Sequence, residues 1–432
     1  MTGTVTSSAP LAAASSSEKL RFYGLWVIAA IALTLLPLIF SSGGSLTSLS
    51  LIGIAIIFAL SYNILLGETG LLSFGHAVHY GLGSFAAVHM MNAVATHGWP
   101  VPLPLIPLIG GIGGLGAAMV IGWVMTKRAG TVFAMISLGI GELVASSSLI
   151  LRSVFGGESG VTTDRTALPH IFGLSFGPQI QVTYLIAFWL MISVIAMYAI
   201  TRTPLGRISN AVRDNPGRVE FIGYDPHVVR YFSYCFAAFF AGIAGALTAI
   251  NFEIANSAYL GATQSGLVLF ATFVGGTAYF FGPILGASLV TYLQLGLTSV
   301  TTVWQLYFGI IFIGIVMFAP GGIASLLMLH RPVIRAGSLG IMIPAYLVTL
   351  IPTLALASGV ILTIETVARY AASDSEAINV FGVPFSATAP TTWGAAAILL
   401  IGGFIISRIT WRRTAAAWDR ATTIARDKGY LE

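Results

Sequence analysis

Charged side chains are scarce in this sequence. Lys and Arg number 20 and Asp and Glu 15 among 432 residues, so 8% of the chain is charged, against about a quarter in an ordinary soluble domain. A soluble fold of this size must cover a large surface with polar side chains. The scarcity therefore excludes a water-soluble enzyme and a disordered chain. The net charge of +5 does not indicate a nucleic-acid-binding protein, because the basic residues are spread thinly.

Cysteine and lysine are nearly absent. The single cysteine, Cys235, cannot form an intramolecular disulfide. A Walker A loop ends in Gly-Lys-Ser or Gly-Lys-Thr, but Lys19, Lys127 and Lys428 are followed by Leu, Arg and Gly. The chain thus has no phosphate-binding loop of this type and no expected cofactor, and any ATP must be hydrolysed by another polypeptide.

Apolar residues dominate what is present. They make up 56% of the chain, mean hydropathy is +0.90, and glycine, which transmembrane helices tolerate well, occurs 49 times. A helix needs about 20 apolar residues to cross the hydrocarbon core. The sequence predicts an all-α polytopic membrane protein with about 12 transmembrane helices, near 22–40, 46–66, 71–95, 104–126, 131–151, 180–200, 231–251, 264–281, 283–299, 304–319, 340–362 and 391–409. Gly282-Pro283 leaves open whether 264–299 is two full spans or a re-entrant segment.

The basic residues predict the orientation of these spans. With the N-terminus placed in the cytoplasm and the sides alternating, all the Lys and Arg residues fall in cytoplasmic segments except Arg152, Arg165 and Arg369. This bias follows the positive-inside rule. We therefore expect a multi-pass protein with both termini cytoplasmic, beginning with a disordered tail over 1–20.

The longest predicted cytoplasmic loop, 202–230, contains a short amphipathic helix. Leu205, Ile208, Ala211 and Val212 recur at helical spacing over 205–213. Such a helix could rest on anionic lipid headgroups, or it could receive force from another subunit. The charged residues expected to face water or a partner are Arg207, Arg213, Asp214 and Arg218.

Ionisable residues inside the predicted spans are few. Glu142 is the one carboxylate placed there, and such a group costs several kcal/mol unless it has a partner. It could contact a gate or substrate, or it could bond to Ser146 or a neighbouring helix. His76 and His79 lie at i, i+3, but no Cys or carboxylate stands near them on that helix, so we expect no metal site.

Glycines interrupt two of the apolar segments. These clusters could mark broken helices that line a central path, or close packing between helices. Their members are Gly67, Gly70, Gly75, Gly81 and Gly83 in the first segment and Gly275, Gly276, Gly282 and Gly286 in the second.

Several motifs give the chain a resemblance to a known family. Residues 60–76 read LSYNILLGETGLLSFGH and 130–142 read GTVFAMISLGIGE. GGESG at 156–160 precedes IFGL at 171–174, GRISNAVRDN occupies 206–215, and VGGT with FGPILGA occupies 274–287. Together these motifs resemble the permeases of branched-chain amino acid ABC importers, the LivM-like branch. The resemblance covers roughly 45–325 and implies a ten-helix permease core over 21–330, with broken Gly-rich helices lining a central path.

The chain departs from this family in two places. It continues for about 110 residues beyond the Pro320-Gly321 turn, as a C-terminal extension over 331–432 with two more predicted spans and a basic tail. The late segment also reads GTAYFFG, which is bulkier than in relatives, so the solute should not be assumed.

The resemblance implies roles for particular residues. A periplasmic or extracellular substrate-binding protein would dock on the outer loop, and two ATPase subunits would press on the inner loop of this chain and of a second related permease. The expected setting is a bacterial inner membrane, and the expected cargo is a branched-chain or other hydrophobic amino acid, or a related small acid or amide. The implied translocation-path residues are Ser73, Gly75, His76, Tyr80, Gly81, Glu142, Gly275 and Gly276; the ATPase-coupling residues are Gly206, Arg207, Ala211, Arg213, Asp214, Asn215 and Gly223; the docking residues are Gly156, Gly157, Glu158 and Gly160.

Two other classes remain. A twelve-span secondary transporter would need buried charges to bind a coupling ion, and Glu142 alone is available. A membrane-embedded enzyme finds no support, because no nucleophilic triad, paired carboxylates or metal cluster converges at membrane depth.

Overall fold

The computed structural model describes residues 16–170, 173–371, 378–380, 383–386 and 389–431. Most of the predicted N-terminal tail, and Ile171 and Phe172 of the outer-loop motif, lie outside these residues. The described residues form these α-helices: α1 Ser16–Ile39, α2 Gly43–Asn63, α3 Ala77–His97, α4 Ile106–Met125, α5 Gly130–Ile150, α6 Arg152–Phe155, α7 Gln179–Arg202, α8 Pro204–Asp214, α9 Pro216–Phe221, α10 Pro226–Phe252, α11 Ala262–Gly275, α12 Gly282–Thr298, α13 Trp304–Phe318, α14 Gly322–Arg335, α15 Leu339–Ala371 and α16 Pro390–Asp427. Two short antiparallel pairs join β1 (Val161–Thr162) to β2 (Ile254–Ala255) and β3 (Ile378–Val380) to β4 (Val383–Phe385).

The predicted spans all coincide with helices, so the all-α polytopic class is confirmed. Among the described residues, seven helices are long and apolar enough to cross a membrane. Helices α13 and α14 are bent by 42° at their junction, and if this pair is one span, the number rises to eight. The apolar part of α1 (Trp26–Ile39) and α11 are shorter. The count of twelve spans stays a prediction. Helix α1 begins at Ser16, within the predicted tail 1–20, and the tail itself stays a prediction.

The chain divides into two compact units. The first comprises the described residues up to 272 together with 283–292, and the second comprises 273–282 and the described residues from 293 onward. The boundary at 330 between permease core and extension, which the resemblance implied, stays a prediction.

Helix α10 forms the centre of the first unit. It packs against α2, α3 and α4, and most of its length is buried. A Cβ on Gly83 would lie 2.4 Å from the Cα of Gly242, and a Cβ on Gly245 would lie 1.8 Å from the carbonyl oxygen of Tyr80. Lipid tails are as apolar as leucine, so helices associate here through close packing of small residues.

In the second unit, α15 and α16 form an antiparallel hairpin. A Cβ on Gly359 would lie 2.7 Å from the backbone nitrogen of Leu400, and the hydroxyls of Thr349 and Thr414 hydrogen-bond at 2.5 Å. Small residues recur along the buried face of α16 at spacings of four and seven, which is typical of coiled-coil packing. They are Thr392, Ala396, Gly403, Thr410, Thr414, Ala421 and Ala425.

A break separates α2 from α3. Helix α2 continues into a π-helical turn, Ile64–Glu68, and regular helix resumes only at Ala77. The predicted span 71–95 therefore begins six residues too early, because Gly70 adopts φ +71° and ends the helical path. Neighbouring side chains bond the backbone of the break, as membrane depth requires: Tyr62 donates to the Ser73 carbonyl at 2.9 Å, and the Phe74 amide donates to Ser137 Oγ at 2.9 Å.

Candidate functional site

The amphipathic helix of the long inner loop is α8. Thr203 caps its start by accepting a hydrogen bond from the Gly206 amide at 3.4 Å. Val212 is buried with Val219 and Val229, and Leu205 and Ile208 pack against this cluster. The helix thus lies on the first unit through one apolar face.

One residue of α8 departs from the predicted pattern. The helical spacing predicts Ala211 on the apolar face, but the structure leaves it exposed. Leu205, Ile208 and Val212 are spaced three and four residues apart and face the core. Ala211, directly before Val212, lies to the side of this face. Its small side chain carries too little apolar area to decide the rotation of the helix.

Helix α8 is attached directly to the break between α2 and α3. The Arg213 guanidinium donates to the Gly67 carbonyl, and the Asn210 amide donates to the Glu68 carboxylate at 2.5 Å. The aliphatic part of Arg213 also lies against Gly70. A displacement of α8 would therefore reach the break through three side-chain contacts.

The other predicted coupling residues surround this attachment. Arg207 and Asp214 are exposed, and Asp214 Oδ1 lies 3.1 Å from Arg213 Nε. Asn215 Oδ1 accepts from the Arg218 amide at 3.1 Å and so caps α9, while Gly223 (φ +88°) makes the turn into α10. Sequence reasoning missed two residues of this attachment, Glu68 and Asn210.

Gly206 is buried at the corner between α7 and α8. A Cβ at this position would lie 2.6 Å from the carbonyl oxygens of Ile200 and Thr201. Any side chain at Gly206 would displace that corner, so a substitution there tests packing as well as coupling.

Polar side chains cluster inside the first unit, at the end of the break and the start of α3. Ser73, His76 and Tyr80 are all buried. His76 Nε2 lies 3.0 Å from Ser61 Oγ, and Tyr80 hydrogen-bonds Thr248 at 2.5 Å. Within the described residues, Ser73 Oγ and His76 Nδ1 have no hydrogen-bond partner. These two atoms could bond a polar solute or water if the helices around them separated.

The glycines assigned to the path lie at helix contacts in this conformation. A Cβ on Gly75 would lie 2.2 Å from the Ser137 carbonyl oxygen, and a Cβ on Gly81 would lie 2.4 Å from Leu260 Cδ2. Gly275 and Gly276 belong to the second unit, where Gly276 (φ +100°) packs against Gly321.

Glu142 lies on an exposed face of α5. The helix carries apolar side chains on the same side, among them Met135 and Leu143, which are 71% and 65% exposed. A carboxylate at membrane depth requires protein or water next to it rather than lipid. Its role stays a prediction. Among the described residues, no group of three or more His, Cys, Asp or Glu side chains could hold a metal ion.

The outer-loop glycines form a tightly constrained turn. Gly156, Gly157 and Gly160 all have φ between +68° and +70°, a region that other residues rarely adopt. A Cβ on Gly160 would also lie 2.3 Å from the Ala255 carbonyl oxygen, next to the pairing of β1 with β2. Glu158 is exposed between these glycines, and its role in docking stays a prediction.

Arg165 fastens this loop to the end of α10. Its guanidinium donates to the carbonyls of Ile250 (3.2 Å), Asn251 (3.3 Å) and Gly177 (3.0 Å), and Nε lies 3.7 Å from Glu253. Sequence reasoning missed this role. The available signal was that Arg165 is a rare basic residue in predicted outer segments.

Arg165→Ala is expected to loosen the outer loop without unfolding the protein. Three hydrogen bonds from a largely buried cation would be lost, which corresponds to about 2 to 4 kcal/mol of local stability. Hydrogen exchange of 156–167 should accelerate by at least about tenfold. The control is Arg152→Gln, which changes an exposed side chain of the same loop. Equal exchange in both variants would contradict a fastening role.

Comparisons with known proteins agree with the motifs. A family described as "Branched-chain amino acid transport system / permease component" matches residues 44–320. The high-affinity branched-chain amino acid transport system permease protein LivM of Escherichia coli K12 is 26% identical over 287 residues, which cover 62% of this chain and 66% of that protein.

The LivM protein of Salmonella typhimurium LT2 is similarly related. It is 26% identical over 272 residues, which cover 58% of this chain and 62% of that protein. The chain thus spans slightly less than two thirds of the length of these two relatives. No solved structure matches this chain. Since the family match takes in more than half of the residues, the chain belongs to the family of branched-chain amino acid transport system permease components.

Proposed function

We propose that this protein is the transmembrane permease subunit of an ATP-binding-cassette importer for branched-chain or other hydrophobic amino acids, or related small acids and amides. A substrate-binding protein delivers the solute at the outer loop around Glu158. Two ATPase subunits act on α8 and on the matching helix of a second, related permease. The chain itself is a transport subunit of a bacterial inner membrane, with both termini in the cytoplasm.

The attachment of α8 to the break supports this proposal most directly. A helix that merely rests on lipid headgroups needs only an amphipathic pattern. Here Arg213 and Asn210 hold the backbone and side chain of the π-helical turn at Gly67 and Glu68. Force applied to α8 therefore changes the geometry of the segment that precedes Ser73 and His76.

The break is suited to open and close a path. A short non-helical segment can absorb large φ and ψ changes while the helices on both sides move as rigid bodies. Ser73 and His76 lie in the last part of the break, and among the described residues Ser73 Oγ and His76 Nδ1 have no hydrogen-bond partner. Movement of the break would expose these atoms to a solute, and return of the break would cover them.

The distribution of contacts agrees with the proposed sides of the membrane. The loops predicted to lie outside meet through β1, β2 and Arg165. Segments predicted to lie inside meet at α8 and the break, and His227 Nε2 lies 3.0 Å from the Trp123 carbonyl at the corresponding ends of α10 and α4.

The competing function is an ion-coupled secondary transporter. It would use a proton or sodium gradient and would need no ATPase. Reconstitution separates the two: proteoliposomes containing this chain, its co-purified permease and ATPases, and a binding protein loaded with leucine should accumulate leucine only when ATP is present. Uptake that follows an imposed ion gradient without ATPase subunits would instead favour the secondary transporter.

A further inference from the structure

The first unit contains a large apolar cleft that the proposed transport path does not use. Its volume is about 370 Å³, and it lies between α1, α2, α7 and the start of α12. Protein interiors are close-packed, with few voids larger than a water molecule. A cleft of this size beside a membrane helix is therefore occupied in the membrane.

The chemistry of the lining excludes an amino acid as the occupant. Apart from Trp26, the polar side chains that line the cleft are Thr183 and Ser288, counted over the residues that the structure describes. Thr183 Oγ1 is bonded to Ser50 Oγ and the Gln179 carbonyl, each at 3.0 Å, and Ser288 Oγ donates to the Ile284 carbonyl at 2.7 Å. Among the described side chains of the lining, an ammonium and a carboxylate would find no charged partner, whereas a hydrocarbon chain has no polar interaction to lose.

The dimensions of the cleft match one leaflet of a bilayer. Trp26 and Pro37 both line it and are eleven residues apart on α1, which is about 16 Å along a helix axis. The hydrocarbon thickness of one leaflet is about 15 Å. A single acyl chain lying along α1 would extend through the cleft.

A polar cluster stands at one end of the cleft. The rings of Trp26 and Tyr198 pack edge to face at 5.8 Å. The Arg202 guanidinium lies 5.0 Å from the Tyr198 ring centroid and donates to its hydroxyl at 2.6 Å. Tryptophan and tyrosine are typical of the headgroup level, and the fork of N–H donors on arginine fits a phosphate.

From these observations we infer that the first unit has a specific binding site for a phospholipid. One acyl chain fills the cleft between α1, α2 and α7, and the phosphate of the headgroup is held by Arg202 beside Tyr198 and Trp26. The lipid completes the attachment of α1, which contacts the rest of the unit mainly through α7. This inference does not depend on which solute the protein carries.

Native mass spectrometry of the intact complex tests the site. Delipidated complex is titrated with 1-palmitoyl-2-oleoyl-phosphatidylglycerol. The protein is then released from the detergent micelle in the mass spectrometer, and the lipid molecules that stay bound to this chain are counted. We expect one tightly bound lipid per chain. Ala187→Phe, which fills the cleft, and Arg202→Gln, which removes the cation, should each weaken binding by about tenfold.

Two matched variants serve as controls. Ala199→Phe adds the same bulk to an exposed face of α7, and Arg128→Gln removes an exposed cation elsewhere; both should bind lipid as the unmodified protein does. If Ala187→Phe does not fold, Arg202→Gln carries the test alone, because Arg202 is exposed. Binding equal to that of the unmodified protein in both test variants would overturn the site, as would cross-links that place another protein chain in the cleft.

Discussion

Arg213→Gln is expected to lower ATP-driven uptake by at least about tenfold while ATP hydrolysis continues. The glutamine is too short to reach the Gly67 carbonyl, which Arg213 contacts, so α8 would lose its bond to the backbone of the break. Hydrogen bonds from charged groups contribute about 1.5 to 3 kcal/mol, and 1.4 kcal/mol is a tenfold change in an equilibrium. The ATPases would then move α8 without moving the break.

The measurement compares leucine uptake and phosphate release in the same proteoliposomes. Arg218→Gln is the matched control, because Arg218 is also a cation of the inner loop and is exposed on α9. It should retain both activities. If Arg213→Gln transports at the normal rate per ATP hydrolysed, the coupling role of Arg213 is wrong. If it loses uptake and hydrolysis together, Arg213 serves assembly with the ATPases instead.

Gly245→Ala is expected to have the largest effect on stability. The added Cβ would lie 1.8 Å from the Tyr80 carbonyl oxygen and 3.1 Å from the Ser84 backbone nitrogen. Both are backbone atoms of α3, which cannot rotate away as a side chain could. Helices α3 and α10 would have to separate along their contact, at a cost of about 3 kcal/mol or more.

The matched control is Gly116→Ala on α4. Among the described residues, no atom outside the adjacent backbone of α4 lies within 4 Å of a Cβ at Gly116, and alanine favours helix over glycine. Thermal unfolding in detergent, followed by tryptophan fluorescence, should show a lower midpoint or no folded protein for Gly245→Ala and an unchanged or higher midpoint for Gly116→Ala. Equal midpoints would contradict close backbone packing between α3 and α10.

The sequence was informative about local features for physical reasons. Apolar runs predicted the seven described helices that are long and apolar enough to cross a membrane, because a chain in lipid must satisfy its backbone groups within each helix. The amphipathic spacing of Leu205, Ile208 and Val212 predicted α8, since only one face of a short loop helix can be buried. The glycine cluster near Gly70 left a broken helix and close helix packing open, and the structure has both: the break at Gly70 and close contacts at Gly75, Gly81 and Gly83.

Long-range pairings were not predictable from the sequence. Glu68 and Asn210 are separated by 142 residues and form a hydrogen bond, yet neither stands out in its own segment. Arg165 bonds to carbonyls of α10 that have no side-chain signature. Such contacts depend on which helix ends meet, and hydrophobic periodicity does not encode that.

The scarcity of charge by itself determined that this chain lies in a membrane, and the positions of the few basic residues predicted its orientation. Tertiary structure alone decided what three of the few charged side chains contact. Arg213 reaches the break, Arg165 fastens the outer loop, and Glu142 lies on an exposed helix face. The physical reason is that burial of apolar area depends on composition and spacing along the chain, whereas a hydrogen bond requires two particular groups within about 3 Å. Only the packing of the helices brings such groups together.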